Sequence, residues 1–103
     1  MKDERLTDDF QISSATLRRQ ADAAQAAGFT QLAENLRRAA ELTAVPKEEL
    51  LRIYEALRPG RSTEAELLTI ADALARDYSA QRTAAFIREA AAEYARRQLF
   101  RPE

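Results

Sequence analysis

The chain contains no cysteine and no histidine. The first absence excludes disulfides, thiol nucleophiles and thiolate metal sites. The second removes the commonest metal ligand and the usual general base near neutral pH. Neither a Ser/His/Asp nor a Cys/His arrangement can be built. Glycine occurs twice and proline three times, so there are few points at which the chain is forced to turn. An excess of either charge is also missing. With 16 basic and 17 acidic residues, mixed in both halves, no basic face stands out for nucleic acid or an anionic membrane. No apolar run approaches the length of a membrane span, and no secretory apolar segment follows Met1, so a cytoplasmic protein is expected.

What remains is rich in helix formers. Ala and Arg dominate, and Ala, Leu, Arg and Glu lose little side-chain freedom in a helix. Val occurs once, and no run of β-branched residues alternates with polar ones, so sheet is not expected. A chain of 103 residues fits one small domain that buries only about two-thirds of its unfolded surface. A partner covering one face would add to that thin margin.

The pattern predicts an all-α fold of four or five short helices in a small, irregular, orthogonal bundle. Residues 1–12 read as an irregular lead-in and residues 13–103 as the helical domain. Ser13 is a candidate N-cap for a helix over 14–27 with Leu17, Ala21 and Ala24 inward, and Gly28 ends it. Thr30 opens a second helix, to about Ala44, with Leu32, Leu36, Ala39, Ala40 and Thr43 as its inner face. Val45-Pro46 punctuates it, and Pro46 suits the first turn of a third helix. Leu50, Ile53, Tyr54 and Leu57 make the stripe of that helix. Arg58-Pro59-Gly60-Arg61 is the clearest break. Thr63 with Glu66 then spells a capping box, with Ser62 the competing cap, ahead of a helix carrying Leu67, Ile70, Ala71, Leu74 and Tyr78. Thr83, Phe86, Ile87, Ala90 and Tyr94 continue the rhythm, and Ser79 reads equally as a break or as part of one long helix.

Each chemistry-bearing group has a plain reading beside the functional one. Glu48, Glu49, Glu64 and Glu66 fall in first helical turns, where the helix dipole explains them. Asp72 and Asp77 have no imidazole nearby to complete an acid–base site. The pairs Arg18-Arg19, Arg37-Arg38 and Arg96-Arg97 have i, i+4 partners in Glu34–Arg38, Arg37–Glu41 and Glu93–Arg97, or they contact a partner's carboxylates. Tyr54, Tyr78, Phe86 and Tyr94 read as core rings, with pockets in a partner as the alternative. In the loop Arg58–Ser62, two arginines flanking a rigid proline form a fork that a partner surface would meet. Ala39–Leu50 has the apolar rhythm of a helix-turn-helix. Its recognition helix would start Lys47-Glu48-Glu49, a net negative end that phosphate repels.

Several stretches, in order, resemble the small subunit of adenosylcobalamin-dependent diol and glycerol dehydratases. They are Ile12–Leu17, Asn35–Pro46, Ile53–Ser62, Glu66–Asp72 and Ala84–Ala91. Ser14, Glu55 and Gly60 depart from the family, which often has Pro, Asn and an aromatic there, and most members have a longer N-terminal segment. The resemblance implies a non-catalytic structural subunit docking on the large subunit, a (β/α)8 barrel, in a dimer of three-subunit units. Adenosylcobalamin and a metal ion are implied for the large and medium subunits, with no cofactor, metal or catalytic residue on this chain. The complex would turn 1,2-propanediol or glycerol into an aldehyde and water by radical chemistry. Which diol is preferred is set on another chain, and packaging in a bacterial microcompartment is left open. Tyr54, Arg58, Arg61 and Tyr94 are the candidate interface residues. A stand-alone helical adaptor of the same family and a helix-turn-helix DNA-binding protein are the alternatives.

Overall fold

A computed structural model describes residues 12–102. The expected lead-in therefore lies outside the described residues except for Ile12. Five helices and no strand occur among the described residues: α1 (Ser14–Ala26), α2 (Thr30–Leu42), α3 (Lys47–Ala56), α4 (Glu64–Tyr78) and α5 (Gln81–Arg97). The chain divides into two compact units, Met1–Ala40 and Glu41–Glu103, so the division falls inside α2.

In the first unit, the Ser13 hydroxyl accepts the Thr16 N–H and so caps α1. The far end closes as a Schellman motif. Phe29 N–H donates to the Ala24 carbonyl at 2.8 Å and Gly28 N–H to that of Gln25 at 3.0 Å, with Gly28 at φ +88°. Ala21, Ala24 and Ala33 form a small core with Leu36 against it. Two positions depart from the predicted inner face of α2, Leu32 and Thr43. Leu32 is 50% exposed and Ala33 is fully buried in its place. An alanine lets two backbones approach where a leucine would hold them apart, so helix spacing selected the smaller neighbour. Thr43 is exposed, because α2 ends at Leu42 instead of continuing to Ala44.

The second unit holds the larger core: Val45, Ile53, Leu67, Ala71, Leu74, Ala80, Ala84, Ile87 and Ala91. Alanines alternate with large aliphatics along α4 and α5, which lets these two helices pair closely. Pro46 sits at the N-cap of α3, one residue earlier than the first-turn position expected of it. The capping box of α4 is present in full. The Thr63 hydroxyl accepts the Glu66 N–H at 3.2 Å and the Glu66 carboxylate accepts the Thr63 N–H at 2.8 Å. Ser62, the competing cap, is buried and donates instead to the Ala56 carbonyl at 2.7 Å. Replacing Thr63 by Ala is expected to lower stability by about 1 kcal/mol, the usual loss for an N-cap. Urea denaturation followed by helical ellipticity measures it.

Ser79 is a true break. It adopts the left-handed conformation at φ 55°, and the next N–H, of Ala80, donates to the Leu74 carbonyl at 3.0 Å. The end of α5 also has a left-handed residue, Gln98 at φ 60°, with Leu99 N–H on the Tyr94 carbonyl at 2.9 Å. The closure at Gln98 is a Schellman motif without glycine, whereas at Ser79 both the Ser79 and the Ala80 N–H converge on the Leu74 carbonyl in a wider turn; the buried Ala80 and half-buried Leu99 follow the two ends.

The start of α5 has no side-chain cap of its own. Glu41, at the end of α2, supplies one from 42 residues away: its carboxylate accepts Thr83 N–H at 2.8 Å, Thr83 hydroxyl at 2.7 Å and Arg82 N–H at 3.0 Å. Glu41 thus fills the positive end of α5.

Candidate docking surface

The third helix carries apolar residues on more than one face. Leu50, Ile53 and Leu57 point inward, with Ile53 buried and the other two half-buried against the core. Leu51 and Tyr54 are each 57% exposed. With Arg58 they follow an i, i+3, i+7 spacing, a second stripe about 100° around the helix from the first. Tyr54 falls at the border of the two stripes. The assignment of Tyr54 to the inner stripe is therefore corrected: the smaller Ile53 and Leu57 fill the space against α4 and α5, and the ring turns outward. Phe86 is likewise exposed at 45%, whereas Tyr78 and Tyr94 are half-buried against the core.

Beyond α3, Arg58 and Arg61 both reach Glu55, at 3.3 and 3.4 Å, and remain more than half exposed. The loop beneath them is fastened at several points. Tyr94, on α5, donates its hydroxyl to the Leu57 carbonyl, and its ring lies 5.7 Å from that of Phe100. Gly60 adopts φ +81° and donates its N–H to the Leu99 carbonyl at 2.8 Å. Arg101 N–H donates to the Ser62 carbonyl at 2.8 Å. Three of the four candidate interface residues, Tyr54, Arg58 and Arg61, are thus grouped on α3 and the loop that follows it. The fourth, Tyr94, braces the root of that loop from inside. Leu51 belongs to the exposed group and was missed. The signal for it was in the sequence: Leu50, Leu51, Ile53, Tyr54 and Leu57 are too many apolar residues for one stripe of a three-turn helix.

Many of the carboxylates are engaged as caps and ion-pair partners. Asp72 pairs with Arg88 at 2.8 Å, Asp77 with Arg76 at 2.9 Å, Glu49 with Arg52, and Glu93 with both Arg96 and Arg97. Of the predicted i, i+4 pairs, Glu93–Arg97 forms. Arg37 turns to Asp22 and Glu34, while Glu41 is taken up by α5. The Glu66 carboxyl is held below the ordinary carboxylate range, first by the Thr63 backbone N–H and further by Arg101. Glu93 and Asp77 are lowered by hydrogen bonds from Arg96 and Arg76 respectively. These shifts follow arginine contacts and a cap at the surface; none comes from a carboxylate desolvated in a cleft, which is the pattern of an acid–base site. Among the described residues, no three carboxylates gather to hold a metal, and no helix is long and apolar enough to cross a membrane.

A family model for the dehydratase small subunit matches residues 1–101. The propanediol dehydratase small subunits of Citrobacter freundii and Salmonella typhimurium strain LT2 are each 56% identical over 89 residues, covering 86% of this chain. The match covers 52% and 51% of those two proteins, so the chain spans about half the length of the relatives it matches. A match over nearly the whole sequence, on helices that the structure bears out, settles the lineage: the chain belongs to the dehydratase small-subunit family.

Proposed function

We propose that this chain is the non-catalytic, structural small subunit of an adenosylcobalamin-dependent propanediol or glycerol dehydratase. It docks on the large catalytic subunit through Tyr54, Arg58 and Arg61, extended by Leu51 and braced by Tyr94. The observation that carries the reading is the outer face of α3: in a chain of a small-subunit family, two large apolar side chains and two arginines stand together on the surface beside a fastened loop. Interfaces are enriched in this mixture of aromatic and arginine side chains. The names of the two relatives support a 1,2-diol as the substrate class of the complex.

Two features weigh against this chain as the holder of the cobalamin. There is no imidazole to replace the lower ligand of the cobalamin. The hollow lined by Ile53, Ile70, Leu74 and Tyr78 measures about 290 Å³, at the low end for even a drug-sized ligand and far below adenosylcobalamin. Substrate, cofactor and metal ion are accordingly assigned to the large and medium subunits. The contribution of this chain is to hold the assembly together, in the cytoplasm or inside a microcompartment. The negative first turn of α3, with Glu48 and Glu49, weighs against a DNA-binding alternative.

Reconstitution with the large and medium subunits tests this. The isolated chain is expected to bind no adenosylcobalamin and to dehydrate no diol. Omitting it should lower activity through loss of stable assembly. Asp72→Asn and Glu89→Gln should leave turnover of the reconstituted complex within about twofold, the range expected of surface substitutions with small energetic effect. If either variant stopped turnover while assembly and cofactor affinity stayed intact, this chain would belong to the active site and the structural reading would be abandoned.

A further inference from the structure

We propose that the C-terminal segment Leu99–Arg101 sets the docking loop, with Arg101 as its positioning residue. The inference rests on the docking role of Arg58 and Arg61 and adds the question of what holds them ready. Two long side chains on a loose loop would lose much freedom on meeting a partner, and that loss weakens binding. Here the loop backbone is tied from one side by a segment some 40 positions away. Gly60 N–H donates to the Leu99 carbonyl at 2.8 Å. Arg101 then grips the loop through three groups. Its backbone N–H donates to the Ser62 carbonyl at 2.8 Å, one guanidinium nitrogen to the Arg61 carbonyl at 3.0 Å, and another to the Glu66 carboxylate at 2.9 Å. Glu66 is at the same time the closing residue of the α4 capping box. The guanidinium therefore bridges the backbone of Arg61 to the first turn of α4.

A planar fork with several donors makes this bridge, and a single ammonium cannot reproduce it. Glycine at position 60 serves the same arrangement, because the left-handed turn there aims its N–H at Leu99. Arg101 thus acts on the partner through Arg58 and Arg61, by fixing the loop that carries them.

The test is a double-mutant cycle on association of the chain with the large and medium subunits, read by titration calorimetry or by retention on a tagged large subunit. Arg101→Ala in the wild-type chain should weaken association about tenfold, with helical ellipticity unchanged. In a chain already carrying Arg58→Ala and Arg61→Ala, it should have almost no further effect, because the groups it positions are gone. Arg101→Lys should fall between wild type and Arg101→Ala, and it serves as the comparison if the alanine variant folds poorly. Additive losses would mean that Arg101 touches the partner directly and would overturn the positioning role. That role is equally overturned if Arg101→Ala does nothing while the arginine pair matters. If the arginine pair itself has no effect, the docking reading fails, and the role of Arg101 fails with it.

Discussion

Truncating Leu67 to alanine should destabilise the chain by about 3 kcal/mol, the middle of the range for buried leucines. Leu67 is fully buried in α4 and sits in the core with Ile53, Leu74 and Ile87. The same core includes Ala71, Ala80, Ala84 and Ala91, which have no side-chain length with which to collapse into a cavity. The vacated volume therefore stays open, and the loss combines the transfer of the missing methyls with the unfilled space. For a domain of this size the thermal midpoint should fall by roughly 12 °C or more. The adjacent Leu68 is 38% exposed, and its truncation should cost less than about 1 kcal/mol. Thermal unfolding of the two variants side by side checks the burial of the α4 face. Equal losses would mean that the helix is rotated from the position described.

Replacing Arg58 and Arg61 together by alanine should weaken association with the large and medium subunits by about 30-fold, equivalent to ~2 kcal/mol. The effect on folding should be far smaller. Both arginines pair with the exposed Glu55, and surface ion pairs of this kind contribute between about 0 and 1 kcal/mol. The two measurements separate: association falls while the thermal midpoint of the isolated chain hardly moves. Tyr54→Ala should weaken association in the same way without affecting the core. Tyr94→Ala should disturb both, because its hydroxyl holds the Leu57 carbonyl and its ring packs on Phe100. Unchanged association for the arginine pair would place the docking face elsewhere.

Fold class and most helix boundaries were determined by local chemistry legible in neighbouring residues. The Ser13 cap, the Gly28 closure, the Thr63–Glu66 capping box and the loop at Arg58–Arg61 are all short-range devices written in adjacent positions. The lack of histidine and cysteine set the limits of the chemistry before any helix was placed. The break at Ser79 was open because serine does not announce a left-handed turn as glycine does; the burial of Ala80 in the core is what holds it.

Tertiary structure decided matters that depend on distances between helices. Periodicity admits Tyr54 to either of two stripes on α3, and packing against α4 and α5 left it outside. The same kind of choice buried Ala33 in place of Leu32, since the side chain that fits is chosen by the gap between two backbones. Glu41 has the spacing of a partner for Arg37, yet it caps a helix that begins about 40 positions later. The hold of Arg101 on the loop at Arg61 is of the same kind. Contacts of such sequence separation leave no periodic trace in either segment, because neither residue is constrained by its own neighbours. They come into being only when the chain folds.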